Sequence, residues 1–280
     1  MKKIIIFFLL AFINTGFCQD NPDTSETITT KYITGTQQLV IMHEQIKSLY
    51  PVLEKLYPIA VAENHSLYIF DLDSNSNYTF IKKVPENFPV PDGIRAAMPL
   101  QGYDFKPVCI VTGDAFDNTK EMVLIFHEFV HCAQFYSVEM KIKGTLDIYK
   151  KSMEKKDYMW ELTHAFPYDN AQFVENYTSF LNALKDSDSI KIVSLRNSIK
   201  KILSKEDYEY MIWQEWKEGY ARYIENKLNI FFNFKINEHG KNIPYDRVAF
   251  YYSGSGYIAY LNSKYPGIDM NMEKLFMAMK

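Results

Sequence analysis

Asn118-Thr119-Lys120-Glu121-Met122-Val123-Leu124-Ile125-Phe126-His127-Glu128-Phe129-Val130-His131-Cys132-Ala133-Gln134-Phe135 begins with a helix start signal and runs on almost entirely apolar. Asn118 followed three residues later by Glu121 has the form of a capping box, which predicts a helix from here to about Glu139. Because apolar residues surround this helix on nearly every side, it is expected to be buried. Its three ionisable groups, His127, Glu128 and His131, therefore need partners, since burying such groups alone is costly.

Their spacing suggests the partner. His127-Glu128-Phe129-Val130-His131 fits the pattern H-E-x-x-H. Residues four apart stand one above the other on a helix, so two imidazoles can converge on one ion. Neutral imidazole suits zinc. Glu128, one residue past the first histidine, is placed to reach a metal-bound water without ligating the metal. There it would take a proton as the water attacks a carbonyl, then carry it to the leaving amine. A chance match would arise in about one chain per hundred of this length from ordinary residue usage, and the apolar context makes it rarer still.

Upstream of the helix, Val108 to Thr112 reads as a short buried strand closed by Gly113, and 84–106 as a long connection rich in Pro and Gly. Ser66 to Phe70 and Tyr78 to Ile81, joined by Asp73-Ser74-Asn75-Ser76-Asn77, read as a β-hairpin. Residues 36–56 alternate at helical spacing, and 19–35 form a polar, loose leader. Lys2 and Lys3, the apolar run Ile4 to Ile13, and Gly16 and Cys18 form a secretory signal over 1–18. That run is shorter than the roughly 20 residues a spanning helix needs. A lipid-bearing Cys18 is the weaker alternative, because Phe17 is bulky where that processing takes a small residue.

Downstream of the helix the chain is expected to be mostly helical, with loops near Pro167, at Asp186 to Ser189 and at Lys235 to Pro244. The fold class is α+β: a small N-terminal mixed sheet packed on a larger helical body, forming one domain over 36–280. A net charge of −3 without a dense Lys/Arg block argues against nucleic acid as a partner, and no stable membrane span remains once the signal is removed. After signal removal only Cys109 and Cys132 remain; they can form one disulfide in an oxidising compartment, but Cys132 reads as a small buried residue. The abundant Tyr and Phe are expected to fill the core rather than a substrate groove.

A catalytic zinc needs a third protein ligand. The extended pattern HExxHxxGxxH is excluded, since Gln134 stands at the glycine position and Ser137 at the histidine position. The segment Trp216-Lys217-Glu218-Gly219-Tyr220-Ala221-Arg222-Tyr223 fits Trp-x-Glu-Gly-x-Ala-x-Tyr. An HExxH helix followed by such a segment resembles the gluzincin zinc metallopeptidases. A further stretch, Ala249-Phe250-Tyr251-Tyr252-Ser253-Gly254-Ser255-Gly256, is similar to the C-terminal helix of the peptidase MA-like members.

The resemblance implies a zincin-like fold with an active-site helix, in which Glu218 completes the site with His127 and His131. It also implies that Trp216 and Tyr220 flank the metal, that Gly219 and Ala221 let the second helix close on the first, and that Tyr251, less surely Tyr252, donates a hydrogen bond to the oxyanion. The sequence departs from the family in two places. The long spacer between His131 and Glu218 requires an inserted helical section over about 140–212. Arg222 replaces the acidic residue one turn past the ligand, leaving Glu225 as a candidate support for the histidines. Two rivals for the third ligand remain: Asp147, in a stretch similar to the GTxDxxY motif of aspzincins, and His164, which could instead line the cleft or be structural.

The expected activity is hydrolysis of peptide bonds in a peptide or protein substrate by an exported, secreted or periplasmic, Zn2+ enzyme. A zinc-stabilised binding or scaffold domain, or a zinc hydrolase of a non-peptide amide or ester, are the alternatives. Glu128 favours catalysis, because a purely structural site has no need of an acid there.

Overall fold

The computed structural model describes residues 22–280, so the signal segment 1–18 lies outside the described residues. The chain divides into two compact units, the first ending at Ala133 and the second beginning at Gln134. Among the described residues no helix is long and apolar enough to cross a membrane.

The first unit opens with helix α1, Pro22–Ile46. From Pro22 on, the segment expected to be a loose leader is therefore helical. Tyr32, Thr36, Leu39, His43 and Ile46 are buried along one side of α1, the spacing of a helix that covers other structure. His43 is fixed there by its Nε2, 2.8 Å from the Leu53 carbonyl oxygen.

Five strands follow: β1 Ile59–Glu63, β2 Ser66–Leu72, β3 Tyr78–Pro85, β4 Arg95–Leu100 and β5 Lys106–Thr112. They form one mixed sheet in the order β3-β2-β1-β5-β4. β1 and β5 are parallel, with Ile59 opposite Cys109, and the other pairs are antiparallel. The expected hairpin is β2–β3, and its turn is held by the Asp73 side chain accepting from the backbone of Asn75 and Asn77. The connection read at 84–106 contains β4, an edge strand whose Arg-Ala-Ala-Met-Pro-Leu sequence lacks the alternation that marks a strand. Ala60, Leu67, Ile69, Val108 and Ile110 pack one face of the sheet together with Leu100 and Tyr103.

Helix α2 runs Thr119–Ser137. Asn118 caps it as expected, its Oδ1 accepting from the Glu121 backbone at 3.1 Å. Arg95 ties the β4 edge to this first turn, reaching Asp114 at 3.2 Å and Glu121 at 3.4 Å. Phe126 packs at 6.5 Å from the His43 ring and Phe129 at 5.7 Å from Tyr57. These contacts fix the rotation of α2 within the first unit.

The second unit is helical throughout: α3 Glu139–Lys143, α4 Asp147–Glu154, α5 Trp160–Thr163, α6 Ala171–Lys185, α7 Ser189–Ile202, α8 Lys205–Phe231, α9 Ala249–Lys264 and α10 Met272–Met279. The loops anticipated near Pro167, at 186–189 and at 235–244 separate these helices. The section read as an insertion holds α3 to α7, but its last residues, from Lys205, already belong to α8.

α8 is the axis of this unit. It is capped by Ser204 through the Asp207 backbone and buried along most of its length. Its Glu215 meets Arg196 of α7 at 2.5 Å and accepts from Ser253 of α9 at 2.7 Å. Tyr177 of α6 in turn donates to Ser253 at 2.7 Å. One buried chain of polar contacts thus ties four helices together.

Candidate metal centre

The first unit supplies two candidate ligands from one helix turn. The His127 and His131 rings are 5.1 Å apart by centroid, and both residues are buried. Glu128 is equally buried, at 8% exposure. Its charge is felt at Cys109 on β5: burial pushes the Cys109 thiol up, and Glu128 and then Cys132 add to that shift. Cys109 and Cys132 are both buried and carry no disulfide.

Glu218 lies on α8 with its side chain 14% exposed. Donor atoms of His127, His131 and Glu218 all fall within 4.8 Å of one another, so this group can hold a metal ion. Zinc ligands at about 2.1 Å in a tetrahedral arrangement sit about 3.4 Å apart. Two buried imidazoles and one partly buried carboxylate form a donor set that a divalent metal ion can accept.

The neighbours of Glu218 are fixed by the second unit. Gln134, fully buried in the last turn of α2, donates from Nε2 to the carbonyl oxygens of Trp216 and Lys217 at 3.3 and 3.2 Å. Arg247 donates from Nη1 to Glu218 Oε1 at 3.3 Å and to Gln214 Oε1 at 3.5 Å. The Tyr251 ring has two guanidinium groups beside it, Arg222 and Arg247, each 5.4 Å from its centroid. Tyr252 belongs elsewhere: burial raises its hydroxyl pKa, and the charge of Glu238 adds to this. Of the two tyrosines, Tyr251 is the one that shares a partner with Glu218.

Several expectations need correction. Trp216 and Tyr220, expected to flank the metal, turn their polar ends elsewhere: Trp216 Nε1 donates to the Met272 carbonyl and the Tyr220 hydroxyl to the Asp269 carbonyl. At about 100° per residue, positions 216 and 220 share a face from which 218 points away. Gly219 is small because of α9: a Cβ there would lie 2.6 Å from the Gly254 Cα. Asp147 is engaged by Lys205 and Lys150 at the start of α4, and it is absent from the one candidate metal group found among the described residues. His164 Nε2 is 2.7 Å from Asp207, a structural pairing. The expectation for Glu225 is not among these corrections: the residue is buried and accepts from Arg222 at 3.0 Å and from Asn237 at 2.8 Å.

Arg247, Gln214 and Gln134 were not singled out from the sequence. Gln134 and Gln214 each sit inside a helix already noticed, but a glutamine whose two polar atoms both find partners looks in sequence like any surface glutamine. Arg247 lies in a loop, where no periodicity marks it. No family model, curated protein or solved structure matches the chain.

Proposed function

We propose that the chain is an exported zinc peptidase of the gluzincin type. The convergence of His127, His131 and Glu218 carries this reading, and the buried Glu128 beside His127 makes it catalytic rather than structural. The three residues would hold the zinc. When bound, zinc polarises the scissile carbonyl and makes water a competent nucleophile near neutral pH.

The rest of the chemistry falls to the side chains. A carboxylate oxygen of Glu128 accepts a proton from the attacking water and returns it to the leaving nitrogen. Tyr251, beside two arginines, donates its hydroxyl hydrogen to the oxygen that gains charge. Gln134 and Arg247 restrain the stretch of α8 that presents Glu218, so that the ligand is in place before substrate arrives. Export rests on the basic and apolar segment 1–18.

Metal analysis by plasma mass spectrometry, with a peptide hydrolysis assay, tests the proposal. The purified mature chain should carry about one zinc, Glu218→Ala should lose most of it, and Glu128→Gln should keep the zinc yet lose hydrolysis. A chain that takes up no zinc after remetallation, or a fully active Glu128→Gln, overturns it.

A further inference from the structure

Arg247 stands in the loop that leads into α9, and among the described residues its hydrogen bonds all leave from one nitrogen, Nη1. Nη1 makes both inward contacts, to Glu218 and to Gln214. The Gln214 amide is itself oriented, because its Nε2 donates to the Glu161 carbonyl at 2.7 Å, which leaves Oε1 facing the arginine. The ring of Tyr251 supports the guanidinium from one side.

A guanidinium has five N–H donors. Among the described residues no acceptor meets the Nε and Nη2 edge, and the side chain keeps 21% exposure while Gln214 is buried. That edge presents two parallel N–H groups, the arrangement that matches a carboxylate.

We propose that the Nε and Nη2 edge of Arg247 binds the free carboxylate of a peptide's last residue, making the enzyme one that removes residues from carboxyl termini. This rests on the zinc peptidase reading above. In such a substrate only the nitrogen and Cα of the terminal residue separate its carboxylate from the scissile carbonyl carbon. A cation in contact with a metal ligand is therefore within reach of it. The reaction is ordinary hydrolysis: the water oxygen bonds to the acyl carbon, the C–N bond breaks, and the amine leaves with the proton carried by Glu128.

The same loop borders an open apolar depression of about 400 Å3, lined by Tyr168, Val174, Ile243, Pro244 and Tyr245 with Asp169. It suits an apolar terminal side chain, so leucine is the residue of choice for the test.

The mature zinc-loaded chain is assayed on an N-blocked tetrapeptide ending in leucine, as free acid and as carboxamide. In parallel, binding of N-acetyl-leucine and of its amide to Glu128→Gln is measured by calorimetry. The free acid should be cleaved at least about tenfold faster in kcat/KM, one such factor being about 1.4 kcal/mol. Arg247→Ala should reduce cleavage of the acid at least tenfold more than cleavage of the amide. In the Glu128→Gln background it should abolish N-acetyl-leucine binding.

Because Arg247 touches Glu218, zinc content is measured in every variant. Arg247→Lys, which keeps the charge without the fork, should keep zinc and recover only part of the preference. Equal rates on acid and amide in the wild type, or equal losses on both in Arg247→Ala, overturn the proposal. If no peptide is cleaved at all, the peptidase reading fails instead, while binding of N-acetyl-leucine against its amide still decides the role of Arg247.

Discussion

The Cα of Gly254 lies 2.6 Å from the point a Cβ on Gly219 would occupy, so α8 and α9 cross with backbone against backbone directly after Glu218. The crossing is tight from both sides, since a Cβ on Gly254 would come 2.3 Å from the Glu215 carbonyl oxygen. The position of Glu218 is thus set by how closely two helices approach.

Gly254→Ala should therefore force the helices apart. Overpacking of this kind costs about 1–3 kcal/mol, seen as a lower urea midpoint at unchanged slope. The same shift moves Glu218, so zinc affinity measured by competition with a chelator should fall as well. A variant with the wild-type midpoint and wild-type affinity would show that α8 and α9 are not held at this separation.

The Arg196–Glu215 pair makes a second prediction. Both side chains are buried, and the arginine also lies 4.6 Å from the ring of Tyr257. Arg196→Met should cost about 3–5 kcal/mol, because it leaves the Glu215 charge buried without its cation. Adding Glu215→Gln, which keeps an acceptor for Ser253, should restore part of the loss. Urea unfolding of the two single variants and the double variant measures this; strictly additive losses would mean the pair is not coupled.

How much of this could be read from the sequence depended on how local the signal was. The α2 start at Asn118, the β2–β3 hairpin and the His127–His131 turn each rest on residues within a few positions of one another, and each is found where expected. β4 was missed because Arg95 to Leu100 form a strand only by pairing with β5. The early start of α1 was missed because its first residues are polar and show no periodicity. Glu218 came from resemblance rather than from spacing, since its partners are far away in sequence. Gly219 was correctly marked as a close-approach residue but given the wrong neighbour, because sequence shows that a contact is tight and not which helix makes it. Arg247 left no trace at all.

Asp147 offers a test that separates the candidate ligands. Its carboxylate is exposed and paired with Lys205 and Lys150 on the surface, so Asp147→Ala should leave zinc content unchanged and the urea midpoint close to that of the wild type. Loss of zinc in Asp147→Ala alongside retention in Glu218→Ala would reverse the assignment of the third ligand.

The final prediction concerns acid. Glu161 receives Lys143 at 2.7 Å, Lys217 at 3.3 Å and the Trp213 Nε1 hydrogen at 2.8 Å. Burial alone would raise its pKa, but Lys217, then Lys143, outweigh it and hold the carboxyl at about 2. The folded value is depressed, so the unfolded chain binds the proton more readily. The stabilisation from this group is full above about pH 4.5 and drains away as pH falls toward 2. The shift corresponds to at most roughly 3 kcal/mol. Unfolding free energies from urea titrations between pH 6 and pH 2 should show wild type and Glu161→Gln far apart at the upper end and converging at the lower. A constant difference across that range would mean that Glu161 titrates as an ordinary carboxylate and that Lys143 and Lys217 do not act on it.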